Sequence, residues 1–179
     1  MKQILSLGLM LVLSANLFAA DLSKEQSEAL KKKVELVKKM AADAKIVEAV
    51  KAVNKTALAD YKDMSQDKWK DLPVLDPKVR YFSKNPAAEY LKTAKDESMA
   101  EIFVSAADGT KVAFLSKTSN WSHKGKPKHD EPMAGKDWTG KVEIDESTGS
   151  QNIQIAVPVL DGGKAIGSMV VGFAVSKLN

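Results

Sequence analysis

Residues 152–175 read NIQIAVPVLDGGKAIGSMVVGFAV. In the first part of this stretch Ile153, Ile155, Val157 and Val159 recur at every second position. Side chains two apart lie on one face of an extended chain, so the four share a side of a strand. Asp161-Gly162-Gly163-Lys164 reads as a tight turn, and Ala165 to Val175 as the last strand. Both faces of that last strand are apolar or small, with Gly167, Ser168 and Gly172 leaving gaps where bulk is expected. A strand glycine marks a close approach by backbone or ligand; packing of the sheet against a helix fits the same gaps. Pro158 has no N–H to give to a ladder, so one side of its strand is expected to be unpaired or bulged there.

Working back from this hairpin, Glu101 to Ala106, Asp108-Gly109 and Lys111 to Ser116 carry a second hairpin signature. Trp138 to Ile144 is a further candidate strand. Between them, Ser116 to Asp137 is a polar loop with Gly, Pro, both histidines and Trp121, too long to be a mere connector. The first half of the chain is helical. Ser23 with Gln26 has the form of a capping box, and Val34, Val37, Met40, Ala44, Val47, Val50 and Val53 follow at helical spacing with lysines on the other faces. This predicts one long amphipathic helix that packs on its own domain, with helix-to-helix dimerisation as a second use. Thr56 to about Met64 reads as a shorter helix, followed by a loop around Trp69, and Pro86 as the first residue of a helix through Leu91. Helices first and antiparallel strands after make an α+β domain, with helices covering one face of the sheet.

The N-terminus carries an address. Lys2, the apolar run Ile4 to Leu13 and the small residues around Ala19-Ala20 compose a secretory signal over residues 1–20. The alternative is a retained membrane anchor, since Phe18 stands where a small residue precedes cleavage. No later segment is long and apolar enough to span a bilayer, and the expected product is periplasmic and soluble. Residues 21–179, about 160 of them, suit a single domain with a real core. The 179-residue chain has no Cys, which removes disulfides and thiolate metal sites. Its formal charge of +4 comes almost wholly from lysine, Arg80 being the only Arg. That argues for a solvated basic surface and against nucleic-acid readout, which leans on arginine forks.

Certain ordered segments resemble the Cache family of extracytoplasmic, PAS-like sensor domains, in its single-domain form. They are residues 76–82, Asn85-Pro86, Glu101 to Val104 with Asp108-Gly109, Ser116 to Trp121, Asp145 to Gly149, Ile155 to Val159, and Gly163 to Gly167 running into the last strand. The resemblance covers roughly residues 22–179. It implies a five-stranded antiparallel sheet with the long helix on one face and a ligand pocket on the other. It also implies a small metabolite as ligand, often a carboxylate or amino acid, and a message passed to a kinase, cyclase or chemotaxis module. This chain shows no second membrane segment and no transmitter, so a soluble binding role or a partner membrane receptor or kinase is implied instead. The family's amino-acid-binding pattern is not recognisable, so no amino-acid ligand is inferred.

Lys117, Ser119, Trp121 and His123 lie in the loop that caps the pocket in that family. They compose an amphipathic wall in which Trp packs a carbon skeleton and Lys and His bind an anion; alternatively Trp121 anchors the loop and Lys117 is solvated. Trp138 would close the other end, with plain packing the favoured role. His123, His129, Asp130 and Glu131 fit no zinc spacing, and surface histidines are expected. Arg80 is expected to pair with an acid such as Asp76 or to fix a loop. No nucleophile elbow and no phosphate loop occurs, so neither an enzyme nor a cofactor is expected. The expectation is an exported module that binds a small anionic metabolite. A protein-interaction module that docks on a membrane receptor, or forms a homodimer through the first helix, is the alternative.

Overall fold

Gly162 and Gly163 take φ of 56° and 83°, the left-handed conformation that a two-residue hairpin turn requires and that costs glycine least. They join β5 (Gln151–Asp161) to β6 (Lys164–Ala174), which pair antiparallel from Asn152↔Ala174 to Asp161↔Lys164. The computed structural model describes residues 22–56, 58–144 and 149–178. The signal read over residues 1–20 and the turn read at Asp145 to Thr148 lie outside these.

The remaining strands are β1 (Met99–Ala106), β2 (Lys111–Phe114), β3 (Trp138–Thr139) and β4 (Glu143–Ile144). They form one antiparallel sheet in the order β2-β1-β6-β5-β3, the five-stranded path expected, and the short β4 also pairs with β5. Trp138 to Ile144 thus forms two pieces rather than one strand. The register slips by one residue between Thr139↔Ile155 and Glu143↔Asn152, so the segment cannot pair continuously. Pro158 lies past the two residues of β5 that β3 covers, and a bulge follows at Val159/Leu160.

The first helix is two helices. α1 (Lys24–Ala41) opens on the expected capping box and ends at Ala42, and α2 (Ala44–Lys55) restarts on Asp43, whose carboxylate accepts from the Lys45 amide at 2.9 Å. Asp43 as a cap offers the backbone an alternative to continuing the helix. The apolar stripe runs on across the break because both helices bury it in one core, so periodicity alone reads them as one. α1 packs on β5 and β6, α2 on β1 and on α5 (Pro86–Ala94). This core contains Val37, Ile46, Val50, Leu91, Ile102, Val104, Ile155, Val157, Met169 and Val171. At Gly167 the approach is close, since a Cβ there would meet the Ser105 carbonyl oxygen at 2.4 Å and Val50 Cγ1 at 2.8 Å.

The opposite face of the sheet holds a second, aromatic cluster built from Phe103, Phe114, Ala156 and Val170. It is covered by α3 (Gln66–Asp71), α4 (Pro77–Lys84), Trp121 and α6 (Pro127–Met133). Four expectations are corrected here. Trp69 is on a helix, fully buried, and not in a loop: Ser65 caps α3, and the indole N–H donates to the Thr118 carbonyl at 2.8 Å. The helix read at Thr56 to Met64 is only a 3-10 turn at Ala59–Tyr61. The loop Ser116 to Asp137 contains α6, which lies on β5 and β6. Arg80 is exposed on α4 and makes no ion pair among the described residues; Asp76 instead caps that helix through the Lys78 amide at 2.8 Å.

Candidate ligand-binding site

The strands on the aromatic face present side chains in rows. Register puts Lys111, Ser105, Ser168 and Pro158 in one row, and Phe114, Phe103, Val170 and Ala156 in the next. Beyond these lie Glu101, Gly172 and Gln154. An apolar middle row therefore separates two polar ends.

Lys111 reaches this face because of a bulge. Phe103↔Phe114 and Val104↔Ala113 are in step, but Ser105 pairs with Lys111, so Val112 is the extra residue. Val112 joins Ala113 in the helix-side core, and Lys111 turns to the other side with Ser105 and Phe103. There its amine is fully buried, 5.0 Å from the Phe103 ring centroid. Lys111 Nζ donates to His123 Nδ1 at 2.5 Å, and the His123 ring stacks on Phe103 at 4.5 Å and 16°. No carboxylate among the described residues is in ion-pair range of Lys111. Loss of water pushes its amine down to about 7, opposed by the charge of Glu101. The same loss, with Lys111 beside it, pushes His123 down to about 3, which leaves this imidazole neutral and able to accept.

His129 stands on the same face, carried by α6. Its Nδ1 lies 2.8 Å from Ser168 Oγ and its Nε2 3.4 Å from the Ala107 carbonyl. A proton on Nε2, donated to that carbonyl, lets Nδ1 accept from the serine. Burial lowers its pKa, against the raising effect of the Ala107 carbonyl. Both histidines are therefore interior, which corrects the surface placement expected from the polar loop. Ser105, opposite Ser168 on β1, has a buried hydroxyl oxygen with no hydrogen-bond partner among the described residues. At the far end Lys128 donates to Gln154 Oε1 at 2.6 Å, and Gln154 donates to Glu101 at 2.8 Å.

A cleft of about 680 Å³ opens beside the lysine end, and its walls include Asn54, Tyr61, Met64, Thr110, Lys111 and Trp121. Tyr61 and Trp121 stack at 5.7 Å and 12°, forming a flat aromatic surface in that wall. A smaller cleft of about 370 Å³ lies at the other end, against Glu101, Trp138, Gln154 and Gly172.

The residues singled out from sequence are thus dispersed. Trp121 lines the larger cleft and His123 belongs to the buried cluster beside it. Lys117 donates to the Leu72 and Lys70 carbonyls at 2.7 and 3.2 Å, tying the loop to the end of α3. Ser119 is exposed, and its carbonyl accepts from Gln66. Trp138 packs on the aromatic cluster and borders the smaller cleft. Sequence reasoning missed Lys111, Ser105, Ser168 and Tyr61. The only local sign for Lys111 is its place at the start of a strand otherwise made of apolar residues.

No family model matches the chain, and no curated relative matches it. Solved structures do. The E. coli DcuS sensor domain aligns with a TM-score of 0.50 at 12% identity, over 87% of this chain and 96% of that one. The ligand-binding domain of the P. aeruginosa PAO1 amino-acid chemoreceptor PctC, in complex with GABA, aligns with a TM-score of 0.49 at 12% identity, over 86% of this chain and 58% of that one. The C. jejuni chemoreceptor Tlp3 ligand-binding domain, in complex with 4-methylisoleucine, aligns with a TM-score of 0.43 at 14% identity, over 87% and 62%. The chain thus spans less than two thirds of the two chemoreceptor domains and nearly all of the DcuS domain. The fold is that of the PAS-like sensor domains. It is the fold expected from the Cache resemblance, with α1, α2 and α5 on one face of the sheet and the candidate site on the other.

Proposed function

We propose that this chain is an extracytoplasmic ligand-binding module that takes a small anionic metabolite on the aromatic face of its sheet. One observation carries the reading. Lys111 is a fully buried amine at the wall of the larger cleft, with no carboxylate partner among the described residues. A lysine buried without a counter-charge costs stability, and such groups are usually compensated by an anionic partner or ligand. A carboxylate at this end of the site would accept from Lys111 and from the Ser105 hydroxyl. The carbon skeleton would lie against Tyr61 and Trp121. Lys117, Ser119 and Trp138 would shape the surrounding loop rather than touch the anion.

The module has no catalytic constellation in this reading and hands its message to a membrane receptor or kinase. Every exposed residue of α1 is charged, and Lys31–Glu28 and Lys38–Glu35 pair along it. That leaves no apolar seam for a second copy, so ligand binding is preferred to dimerisation through this helix. Among the described residues no helix is long and apolar enough to cross a membrane.

A thermal-shift screen of small organic acids and amines tests the proposal. A ligand at about 100 times its Kd adds about 2.7 kcal/mol to the native state. Acids are expected to raise the melting temperature of the wild type and not of Lys111→Met. Shifts with amines alone would overturn the anionic reading.

A further inference from the structure

The lysine end of the site holds basic groups that have no counter-charge in ion-pair range among the described residues. Lys111 and His123 are in direct contact, and His129 approaches from α6 beside Ser168; Lys128, also on α6, is turned to Gln154 at the far end. The acids that act on the cluster stand off from it. Glu101 is at the far end of the face and already accepts from Gln154, while Asp108 and Asp130 act on His129. The site has one hydroxyl, that of Ser105, without a partner among the described residues. With its amine fully buried and no carboxylate among the described residues in ion-pair range, a charged Lys111 would be enclosed without a counter-charge. The neutral amine, hydrogen-bonded to a neutral imidazole, is the form this enclosure favours.

An arriving carboxylate reverses that preference, because it brings the missing negative charge to within contact of the amine. We propose that the anion is bound together with a proton, which Lys111 takes from solvent, so that the affinity of the module is set by pH. The inference rests on the ligand-binding reading above and adds a proton to it. No covalent bond forms or breaks. One proton passes from bulk water to Lys111 Nζ as the ligand enters, and returns when it leaves. His123 remains neutral and keeps the ammonium oriented.

The consequence is a slope. With the amine held down to about 7 in the absence of an anion, each pH unit between this value and the raised pKa of the bound form removes about a factor of ten in affinity, and below about pH 6 the affinity levels off. A sensor of this kind reports the anion strongly in acidic or neutral surroundings and weakly in alkaline ones.

The test is isothermal titration of the full chain with acetate, lactate, pyruvate and tartrate, whose carboxyls are ionised at every pH used. Each is measured at about pH 6 and about pH 8.5, in two buffers of different ionisation heat. The expected result is an affinity at least about tenfold weaker at the higher pH, with uptake approaching one proton per ligand there and much less at the lower pH. NMR titration of the Lys111 ε-carbon should show its pKa rising on saturation. Binding with equal affinity at both pH values and no proton uptake would overturn the inference while leaving the ligand-binding reading standing. If none of the acids binds at either pH, the anionic reading falls and the inference with it.

Discussion

Burying the Lys111 amine costs the folded protein free energy, and the cost depends on pH. Its pKa falls from 10.5 to about 7 on folding, so between these values the unfolded chain holds the extra proton and the folded chain does not. Stability from this group is therefore lowest below pH 7 and recovers as pH rises towards 10.5. The shift corresponds to a penalty on the order of 5 kcal/mol at the acidic end. Lys111→Met, similar in volume and uncharged, is expected to raise the melting temperature by several degrees near pH 6 and by less near pH 9, and to abolish anion binding. Melting curves at the two pH values check this; a variant less stable than the wild type at both would show that the bond to His123 outweighs the cost of burial. Gly167 bears the opposite constraint. Any Cβ there collides with the Ser105 carbonyl at 2.4 Å, so Gly167→Ala should destabilise by about 1–3 kcal/mol in urea titration. It should also disturb the strand that carries Ser105.

At the scale of elements, the break between α1 and α2 and the seat of α6 shape the two sides of the sheet. Asp43 accepts from the Lys45 amide and starts α2; Asp43→Ala is expected to cost about 1 kcal/mol. The measurement is chemical denaturation, and the helix signal in circular dichroism should fall little, since tertiary packing holds both helices against the sheet. α6 is short, has Pro132 inside it and lacks a side-chain N-cap bond. Its hold on the site face comes through the pairing of His129 with Ser168 and of Lys128 with Gln154. These polar contacts, rather than helix propensity, fix the segment over β5 and β6. Much of the element order was legible beforehand, including both hairpins, the capping box and Pro86 at a helix start. Each depends on a few neighbouring residues. The α1–α2 break was not, because Val47, Val50 and Val53 continue the same apolar spacing past Asp43. The helix at Trp69 was missed for a related reason, since α3 is held by its Ser65 cap and by burial of one indole.

At the scale of the whole molecule, the sheet separates a helix-covered core from a face that is partly polar and reached by clefts. We expect the protein recovered from the cell envelope to begin at Asp21, as intact-mass measurement would show; a chain retaining Met1 would make α1 a stalk above a membrane anchor. The sequence by itself determined the α+β class, the antiparallel hairpins, the turn at Gly162-Gly163 and a chain without cysteine. Alternation, turn chemistry and composition are local properties, and they survive whatever the rest of the chain does. Only the tertiary structure decided which side chains form the site. Lys111 faces inward because one extra residue on β2 shifts its register against β1. His123 and His129, read as exposed from their polar loop, are interior because that loop folds back over the sheet and α6 presses it down. Trp121 lines a cleft because Tyr61, sixty residues earlier in the chain, stacks on it. Burial and the pKa shifts that follow from it are set by what covers a side chain. For this site the cover comes from segments distant in sequence.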